Sequence, residues 1–345
     1  MRIKMKKYDR VLFVLAVGML ILMGCGSAKQ EAEGTDTAGD AIVIEEIPEA
    51  TQEMNAENEA AQETAPEQVS ENEVVVDTEE LNEPETEQPQ EVVEPVPETT
   101  EDNKLQIVFL GDSILDGHRD DTGIAYLTGV YCNANVYNLA IGGTTAALKP
   151  DEGAVYESWH SQCMQGIVHA ICGNVDPAIM DGNHVREVFD SCDFSKTDYF
   201  VLEFGMNDFL SGIPINDSDD VYDEHTYVGA LRIAVNNLRQ YYPDAQIVLC
   251  SPSYAQFWGK DGAYLGDGNM VNNGQGTLAA YYRVCGNVSA DNNTLFLNAY
   301  EGIGLNTYTA DEWLEDGIHL TKKGRKKYAE KLSEVILNFE AQKNN

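Results

Sequence analysis

Five short apolar runs, separated by stretches with helical periodicity, limit the fold of this 345-residue chain more than any other feature. Between the runs, Val228, Leu231 and Val235 repeat at the spacing of one helical face, and a similar stripe follows Thr321, a predicted N-cap. Apolar strands alternating with amphipathic helices predict right-handed βαβ units and a five-stranded parallel sheet covered on both faces. The predicted strands are 105–110, 135–139, 199–204, 246–250 and 294–298.

Charge is distributed unevenly and predicts how the chain is organised. The formal net charge is −36: residues 1–30 carry +5, residues 31–103 carry −25 without a single basic side chain, and residues 104–345 carry −16. Binding to nucleic acid needs a basic face that displaces counterions, so this acidity argues against such a partner. It also disfavours docking to an anionic membrane surface. Residues 104–345 are long enough to bury the core of one domain.

The N-terminal 24 residues have the layout of a secretory signal. Basic side chains from Arg2 to Arg10 precede an apolar run over 11–23, which is too short for a membrane-spanning helix. The run ends in Leu22-Met23-Gly24-Cys25, which resembles the lipobox of bacterial lipoproteins. The resemblance implies cleavage before Cys25, lipidation of its sulfur and amine, and anchoring at the extracytoplasmic face of the cell membrane. The alternative is an ordinary signal in which Cys25 occurs by chance.

Residues 25–103 predict an unfolded tether between the anchor and the domain. From residue 26 to 103 there is no aromatic side chain, and this segment holds six of the eleven prolines of the chain. Such a composition buries too little apolar surface to offset the entropy lost on ordering. We therefore expect a disordered acidic linker that holds the domain of residues 104–345 away from the membrane.

Chemically useful residues follow the predicted strands, where the site of a parallel α/β sheet lies. Ser113 stands on a strand-to-helix turn, Gly143 in a glycine pair after the second strand, and Asn207 after the third. Near the C-terminus, Asp316 and His319 are three residues apart, so the carboxylate can orient the imidazole. A hydroxyl, an imidazole, a carboxylate and N–H donors are the groups that acyl transfer requires.

The four segments that carry these residues, GDS, IGGT, GMND and DGIH, resemble the conserved blocks of the SGNH hydrolases, also called the GDSL esterase/lipase family. The resemblance implies a flavodoxin-like three-layer α/β sandwich that hydrolyses esters through a covalent acyl-enzyme. It implies that Ser113 is the nucleophile, with Asp316 and His319 completing the triad. The oxyanion hole would consist of the Ser113 and Gly143 N–H groups and the Asn207 amide. No metal or cofactor is expected.

Two features outside these blocks leave alternatives open. Tyr254, Phe257 and Trp258 follow the fourth strand, and we interpret them either as rings that stack on sugar faces or as rings that pack the loop onto the domain. The domain has six cysteines, for which both buried free thiols and disulfides fit the sequence. Cys163 and Cys172 are one candidate pair.

The sequence predicts an extracellular, lipid-anchored serine esterase that hydrolyses carboxylic esters. A tethered surface enzyme meets polymers outside the cell, which favours acylated polysaccharide as the partner and O-acetyl removal as the reaction. The alternatives are a lysophospholipase or lipase of the same fold, a peptidoglycan deacetylase, and a catalytically inactive carbohydrate-binding lipoprotein. The membrane would be contacted through the lipid anchor only.

Overall fold

A five-stranded parallel sheet forms the centre of the computed structural model, which describes residues 104–343. The strands run in the order β2-β1-β3-β4-β7, and every neighbouring pair is parallel. A separate antiparallel hairpin, β5–β6, follows β4. The strand bounds are β1 Leu105–Gly111, β2 Ala134–Asn138, β3 Tyr199–Glu203, β4 Gln246–Cys250, β5 Gln256–Trp258, β6 Tyr264–Asp267 and β7 Leu295–Leu297.

Helices connect the strands and make this a three-layer α/β domain. The first and last long helices, α2 and α9, pack against each other, while α6 packs against both α3 and α7. The helix bounds are α1 Ser113–Asp116, α2 Ile124–Cys132, α3 Met164–Ile171, α4 Val185–Ser191, α5 Met206–Leu210, α6 Tyr227–Tyr241, α7 Leu278–Asp291, α8 Ala310–Trp313 and α9 Lys322–Lys343. Short 3₁₀ turns lie at Tyr156–Ser158, Pro177–Met180 and Phe194–Lys196.

The predicted fold class is confirmed, and the physical reason is the burial of the sheet on both faces. Every residue of β3 is buried, and β1 is buried from Gln106 onward, which is why these strands are almost continuously apolar in sequence. The helix caps also follow local chemistry. The Thr226 hydroxyl accepts from the Gly229 N–H at the start of α6, and the Thr321 hydroxyl accepts from the Gly324 N–H at the start of α9.

The candidate disulfide between Cys163 and Cys172 is not formed, and the six cysteines of the described residues are free thiols. These two residues cap opposite ends of α3. Nine residues along a helix separate their Cα atoms by about 13 Å, roughly twice the span of a disulfide. Burial raises the pKa of the Cys172 thiol to about 12.

The described residues do not include residues 1–24, for which a signal sequence is predicted, Cys25 or the acidic segment up to residue 103, so the predictions made for them remain predictions. Within residues 104–343, no helix has the length and apolar character needed to cross a membrane.

Candidate active site

Ser113 occupies a tight turn between β1 and α1. β1 ends at Gly111, and Asp112 caps α1 by accepting a hydrogen bond from the Ile114 N–H at 3.0 Å. Glycine at position 111 lets the Leu115 side chain pack against the end of β1, since a Cβ there would lie 2.6 Å from that side chain. Ser113 is the first residue of α1, so its N–H has no acceptor within the helix. Both its hydroxyl and its amide are therefore available for chemistry at the edge of the sheet.

A continuous chain of hydrogen bonds links Ser113 to Asp316. Ser113 Oγ lies 2.9 Å from His319 Nε2, and His319 Nδ1 lies 2.6 Å from Asp316 Oδ2. With a carboxylate at Nδ1, that nitrogen carries the proton and Nε2 accepts from the serine hydroxyl. The other carboxylate oxygen accepts the backbone N–H groups of Ile318 and His319, at 3.0 and 2.8 Å, which fixes the side-chain orientation.

The charged groups around this hydrogen-bond chain favour proton uptake by the His319 imidazole. The hydrogen bond to Asp316 raises the pKa of His319 above its ordinary value, against the opposing effect of burial, and Asp112 and Glu315 add negative potential. Burial alone would raise the pKa of Asp316, but the hydrogen bonds from the His319 side chain and two backbone N–H groups outweigh it. The pKa of Asp316 therefore lies well below its ordinary value. The carboxylate stays ionised and stabilises a protonated His319.

The glycine pair after β2 lies beside Ser113. A Cβ on Gly142 would be 3.7 Å from Ser113 Cβ. The Gly142 N–H donates to Asp116 Oδ2 at 2.8 Å, and Asp116 Oδ1 in turn lies 2.7 Å from Arg119 Nε and 2.9 Å from His184 Nε2. Gly143 has φ +77° and no hydrogen-bond acceptor for its N–H within residues 104–343. Of the two glycines, Gly143 is thus the one with a free donor.

Asn207 is positioned by α5, directly after Gly205. Its side-chain Nδ2 donates to Asp112 Oδ2 and to the Thr144 carbonyl, each at 3.0 Å, and so bridges the nucleophile turn and the glycine segment. Gly205 has φ +125°, and a Cβ there would lie 2.7 Å from the Tyr227 hydroxyl oxygen. In this structure Asn207 Nδ2 thus makes two hydrogen bonds, to Asp112 and to Thr144. To bind an oxyanion at Ser113 as well, Asn207 would have to share or give up one of them.

Asp208 holds in place the segment that follows the glycine pair. Its buried carboxyl accepts the N–H groups of Ala146 and Ala147, at 2.9 and 3.0 Å. Burial raises the pKa of Asp208 to about 6 in spite of these two hydrogen bonds. The segment that follows the glycine pair is thereby tied to α5, and with it the position of Gly143.

The aromatic segment after β4 forms the β5–β6 hairpin and supports the loop of the triad. The Gln256 N–H donates to the Gly317 carbonyl at 2.8 Å, and a Cβ on Gly317 would lie 2.1 Å from the Trp258 ring. Tyr254 and Phe257 are each 3% exposed, so of the two interpretations of these rings, packing onto the domain holds for both and sugar stacking does not. Phe257 instead packs against Phe209, and Tyr254 packs against Tyr300. Trp258 remains partly exposed.

Two recesses are lined by segments of the site, one by the glycine pair and the other by the triad loop. A cavity of about 500 Å³ lies on the side of Gly142 and Gly143, and Leu148 and Ile213 contribute apolar surface to it. Its polar lining side chains are Thr144, Thr145, Lys149, His160, Ser161, Gln162 and Ser211. A second recess of about 360 Å³ lies behind the triad loop, with Trp258 beside Asp316. The first recess adjoins the nucleophile through Gly142, which lies beside Ser113.

Residues 109–327 match the model of the GDSL-like Lipase/Acylhydrolase family. The chain belongs to this family. As a member of it, the protein is a carboxylic ester hydrolase. The match spans all four segments in which the sequence predicted site residues, from the nucleophile turn to the loop of Asp316 and His319.

Three solved structures similar to this family member were compared with it, and the first shares its fold. One crystal structure has a TM-score of 0.51 at 20% identity, covering 68% of this chain and 97% of its own. A possible lipase from Chitinophaga pinensis has a TM-score of 0.46 at 21% identity, covering 68% and 99%. A variant of an acetyl-xylooligosaccharide esterase from Geobacillus has a TM-score of 0.43 at 18% identity, covering 67% and 94%. No curated protein matches the chain.

The structure brings together all five residues that the sequence placed at this edge of the sheet, and it adds others. Asp116, His184 and Glu203 were not predicted. Asp116 lies three residues after Ser113 in the same helix, and this spacing is a signal that the sequence does contain. His184 reaches Asp116 from a segment 68 residues away, and Glu203 comes close to Asp112 through the pairing of β1 with β3. Local sequence contains no signal for either contact.

Proposed function

We propose that this ester hydrolase uses Ser113 as its nucleophile and forms an acyl-enzyme on it. The observation that supports this is the continuous hydrogen-bond chain from Asp316 through His319 to Ser113 Oγ. As Oγ attacks the ester carbonyl, His319 Nε2 takes the serine proton and later returns it to the leaving alkoxide. Water, deprotonated by the same imidazole, then releases the acid and restores the serine.

The negative oxygen of the tetrahedral intermediate would be stabilised by the Ser113 and Gly143 N–H groups and by Asn207 Nδ2. Gly143 supports this role because its N–H has no acceptor among the described residues, whereas its neighbour Gly142 donates to Asp116. Removal of one such donor costs about 2.7–4 kcal/mol of transition-state stabilisation. Asn207 is bound to Asp112 and Thr144, so its amide is already held close to the position where this charge develops.

We further propose that the natural substrate is an O-acetylated carbohydrate. The polar lining of the cavity beside Gly143 supports this, since hydroxyl, amide and imidazole groups suit a hydroxylated ligand better than an alkyl chain. The negative charge of residues 104–345 is compatible with a neutral polymer and unfavourable for an anionic bilayer.

Lipidation at Cys25 and an extracytoplasmic location complete the proposal and rest on the sequence alone. The basic head, the short apolar run and Leu22-Met23-Gly24-Cys25 support them. Cys25→Ala should release the protein from the membrane fraction. Retention of the variant in that fraction would argue against the anchor.

Hydrolysis of p-nitrophenyl acetate, butyrate and octanoate by the purified protein tests the reaction and the acyl group together, with Ser113→Ala as the blank. We expect a rate that depends on Ser113 and falls steeply beyond acetate, together with acetate release from acetylated xylan. A rate that rises with chain length would instead indicate a lipase. If a fluorophosphonate labelled the wild type and Ser113→Ala equally, the proposed nucleophile would be wrong.

A further inference from the structure

A buried carboxyl group without a hydrogen-bond donor lies beneath the nucleophile turn. Glu203 is the last residue of β3 and pairs in register with Gly111, the residue before Asp112. The side chains of Glu203 and Asp112 are both 0% exposed. Neither carboxylate oxygen of Glu203 accepts a hydrogen bond of normal geometry from the described residues, and the backbone N–H of Asp112 lowers the pKa of Glu203 by less than burial raises it. An ionised carboxylate in such a place would bear a large desolvation cost.

The groups that face Glu203 offer no cation to offset a negative charge. They are Asp112 from the nucleophile turn, Tyr227 from α6, Cys250 from β4, Cys285 from α7 and Tyr328 from α9. Burial raises the pKa of each tyrosine and cysteine in this set, so all four are neutral at neutral pH. Asp112 is the one carboxyl group of this set, and it lies within hydrogen-bonding reach of Glu203.

We propose that Glu203 and Asp112 share one proton, which resides on Glu203, and that this acid–carboxylate hydrogen bond positions the oxyanion hole. Two carboxylates cannot hydrogen-bond each other unless one of them is protonated. The proton belongs on Glu203 because Asp112 is the partner with donors. Asp112 Oδ1 accepts from the Ile114 N–H and Oδ2 accepts from Asn207 Nδ2, each at 3.0 Å. The charge of the pair thus resides on Asp112.

The electrostatic directions agree with this assignment. Burial raises the pKa of Glu203 well above its ordinary value, and the charge of Asp112 raises it further. Burial also raises the pKa of Asp112, but its hydrogen bonds from Ile114, Glu203 and Asn207 and the charge of His319 oppose the rise. Asp112 is therefore the more acidic of the two. Its carboxylate also lies close enough to His319 to favour the protonated imidazole.

Glu203 is a positioning residue in this scheme, and it acts through two hydrogen bonds rather than on substrate. Its O–H fixes the Asp112 carboxylate, and that carboxylate fixes both the first turn of α1 and the Asn207 amide. The inference rests on the proposed function insofar as Asn207 is an oxyanion donor. When pH rises far enough to ionise Glu203, two adjacent buried carboxylates repel each other and the Asp112 contacts are lost. An alkaline loss of activity follows, distinct from the titration of His319.

The test compares Glu203→Gln with Glu203→Leu in the full-length protein. Gln keeps a neutral donor for Asp112 but cannot ionise, whereas Leu removes the donor at similar volume. We expect Glu203→Gln to keep kcat on p-nitrophenyl acetate within about threefold and to retain activity at a higher pH than the wild type. Glu203→Leu should lose about 10–100-fold in kcat with little change in KM, as expected when an oxyanion donor is misplaced. Equal losses in the two folded variants, or identical alkaline limbs for wild type and Glu203→Gln, would overturn the proposal.

A stability measurement keeps the proton pair testable apart from catalysis. The pKa of Glu203 is higher in the folded than in the unfolded state, so its contribution to stability is present below the unfolded pKa and is lost as pH rises through the folded value. In the Ser113→Ala background, Tm should therefore fall more between pH 6 and pH 9 than it does with Glu203→Gln added. Parallel curves would contradict the pair even if Glu203→Leu does not fold. Failure of Ser113-dependent labelling alone would overturn the proposed function and leave the pair intact.

Discussion

Gly317 offers a test of how tightly the triad loop is held. In this loop, between Asp316 and His319, Gly317 has φ +92°, and an added Cβ would lie 2.1 Å from the Trp258 ring and 2.4 Å from the Gln256 carbonyl oxygen. The left-handed conformation costs a non-glycine residue about 1–2 kcal/mol. Relief of the overlap adds about 1–3 kcal/mol. Gly317→Ala should therefore destabilise the protein by about 2–5 kcal/mol.

Gly262 supplies a matched control in the neighbouring hairpin. It has φ +79°, but an added Cβ would have no atom within 4 Å, so Gly262→Ala isolates the backbone cost. For a domain of this size, 1 kcal/mol shifts Tm by roughly 2–4 °C. Gly262→Ala should lower Tm by only a few degrees and leave activity unchanged.

The two variants should also differ in catalysis. To relieve the overlap at Gly317, the 316–319 loop and the β5–β6 hairpin must move apart. We expect His319 to shift relative to Ser113 as a result, and a displacement of about 1 Å can cost 100-fold in rate. We therefore expect Gly317→Ala, but not Gly262→Ala, to lose fluorophosphonate labelling rate in proportion to kcat. If Gly317→Ala matched Gly262→Ala in both Tm and labelling rate, the geometric argument would be refuted.

Three further predictions concern the site and the thiols. His319 must be neutral to accept the serine proton, and its pKa is raised, so kcat/KM should rise with pH through a midpoint above 6.5. Asp316→Asn should lower both that midpoint and the rate. A midpoint that did not move would contradict the pairing of His319 with Asp316. Asn207→Ala should lower kcat about 10²–10³-fold with a smaller change in KM. A loss of kcat ten times smaller than this range would exclude Asn207 as an oxyanion donor. Reductant should leave Tm unchanged because Cys163 and Cys172 are free, whereas a disulfide would show as a loss of about 2–4 kcal/mol.

The strands and the main site residues could be predicted because both depend on local sequence. A strand buried on two faces is a continuous apolar run, and the run at 246–250 coincides with β4 as observed. Because parallel strands end at one edge of the sheet, the residues that follow them meet there, as Ser113 and Asn207 do through Asp112. Asp316 and His319 are within one loop, so their contact needed no knowledge of the topology.

The features that could not be predicted depend on contacts between distant segments. A stretch rich in aromatic and glycine residues has the same composition whether its rings face solvent or the core, and only the packing of Phe257 on Phe209 decides which. The pairing of Glu203 with Asp112 requires the strand order, since it arises from the neighbouring positions of β1 and β3. Likewise, the contact of His184 with Asp116 requires the long segment between β2 and β3 to fold back onto α1.

The distance along the chain between Ser113 and His319 also has a consequence for when the enzyme becomes active. The two residues joined by the 2.9 Å hydrogen bond are 206 positions apart, so the nucleophile emerges with the first strand and its base with the last connection before α9. The buried Arg325 in α9 then donates to the Leu320 carbonyl and to Glu315 on either side of the base. A growing polypeptide that has not yet reached His319 has a serine without its proton acceptor. Chains that end between β7 and His319 contain every strand of the five-stranded sheet but should be inactive, because they lack the base.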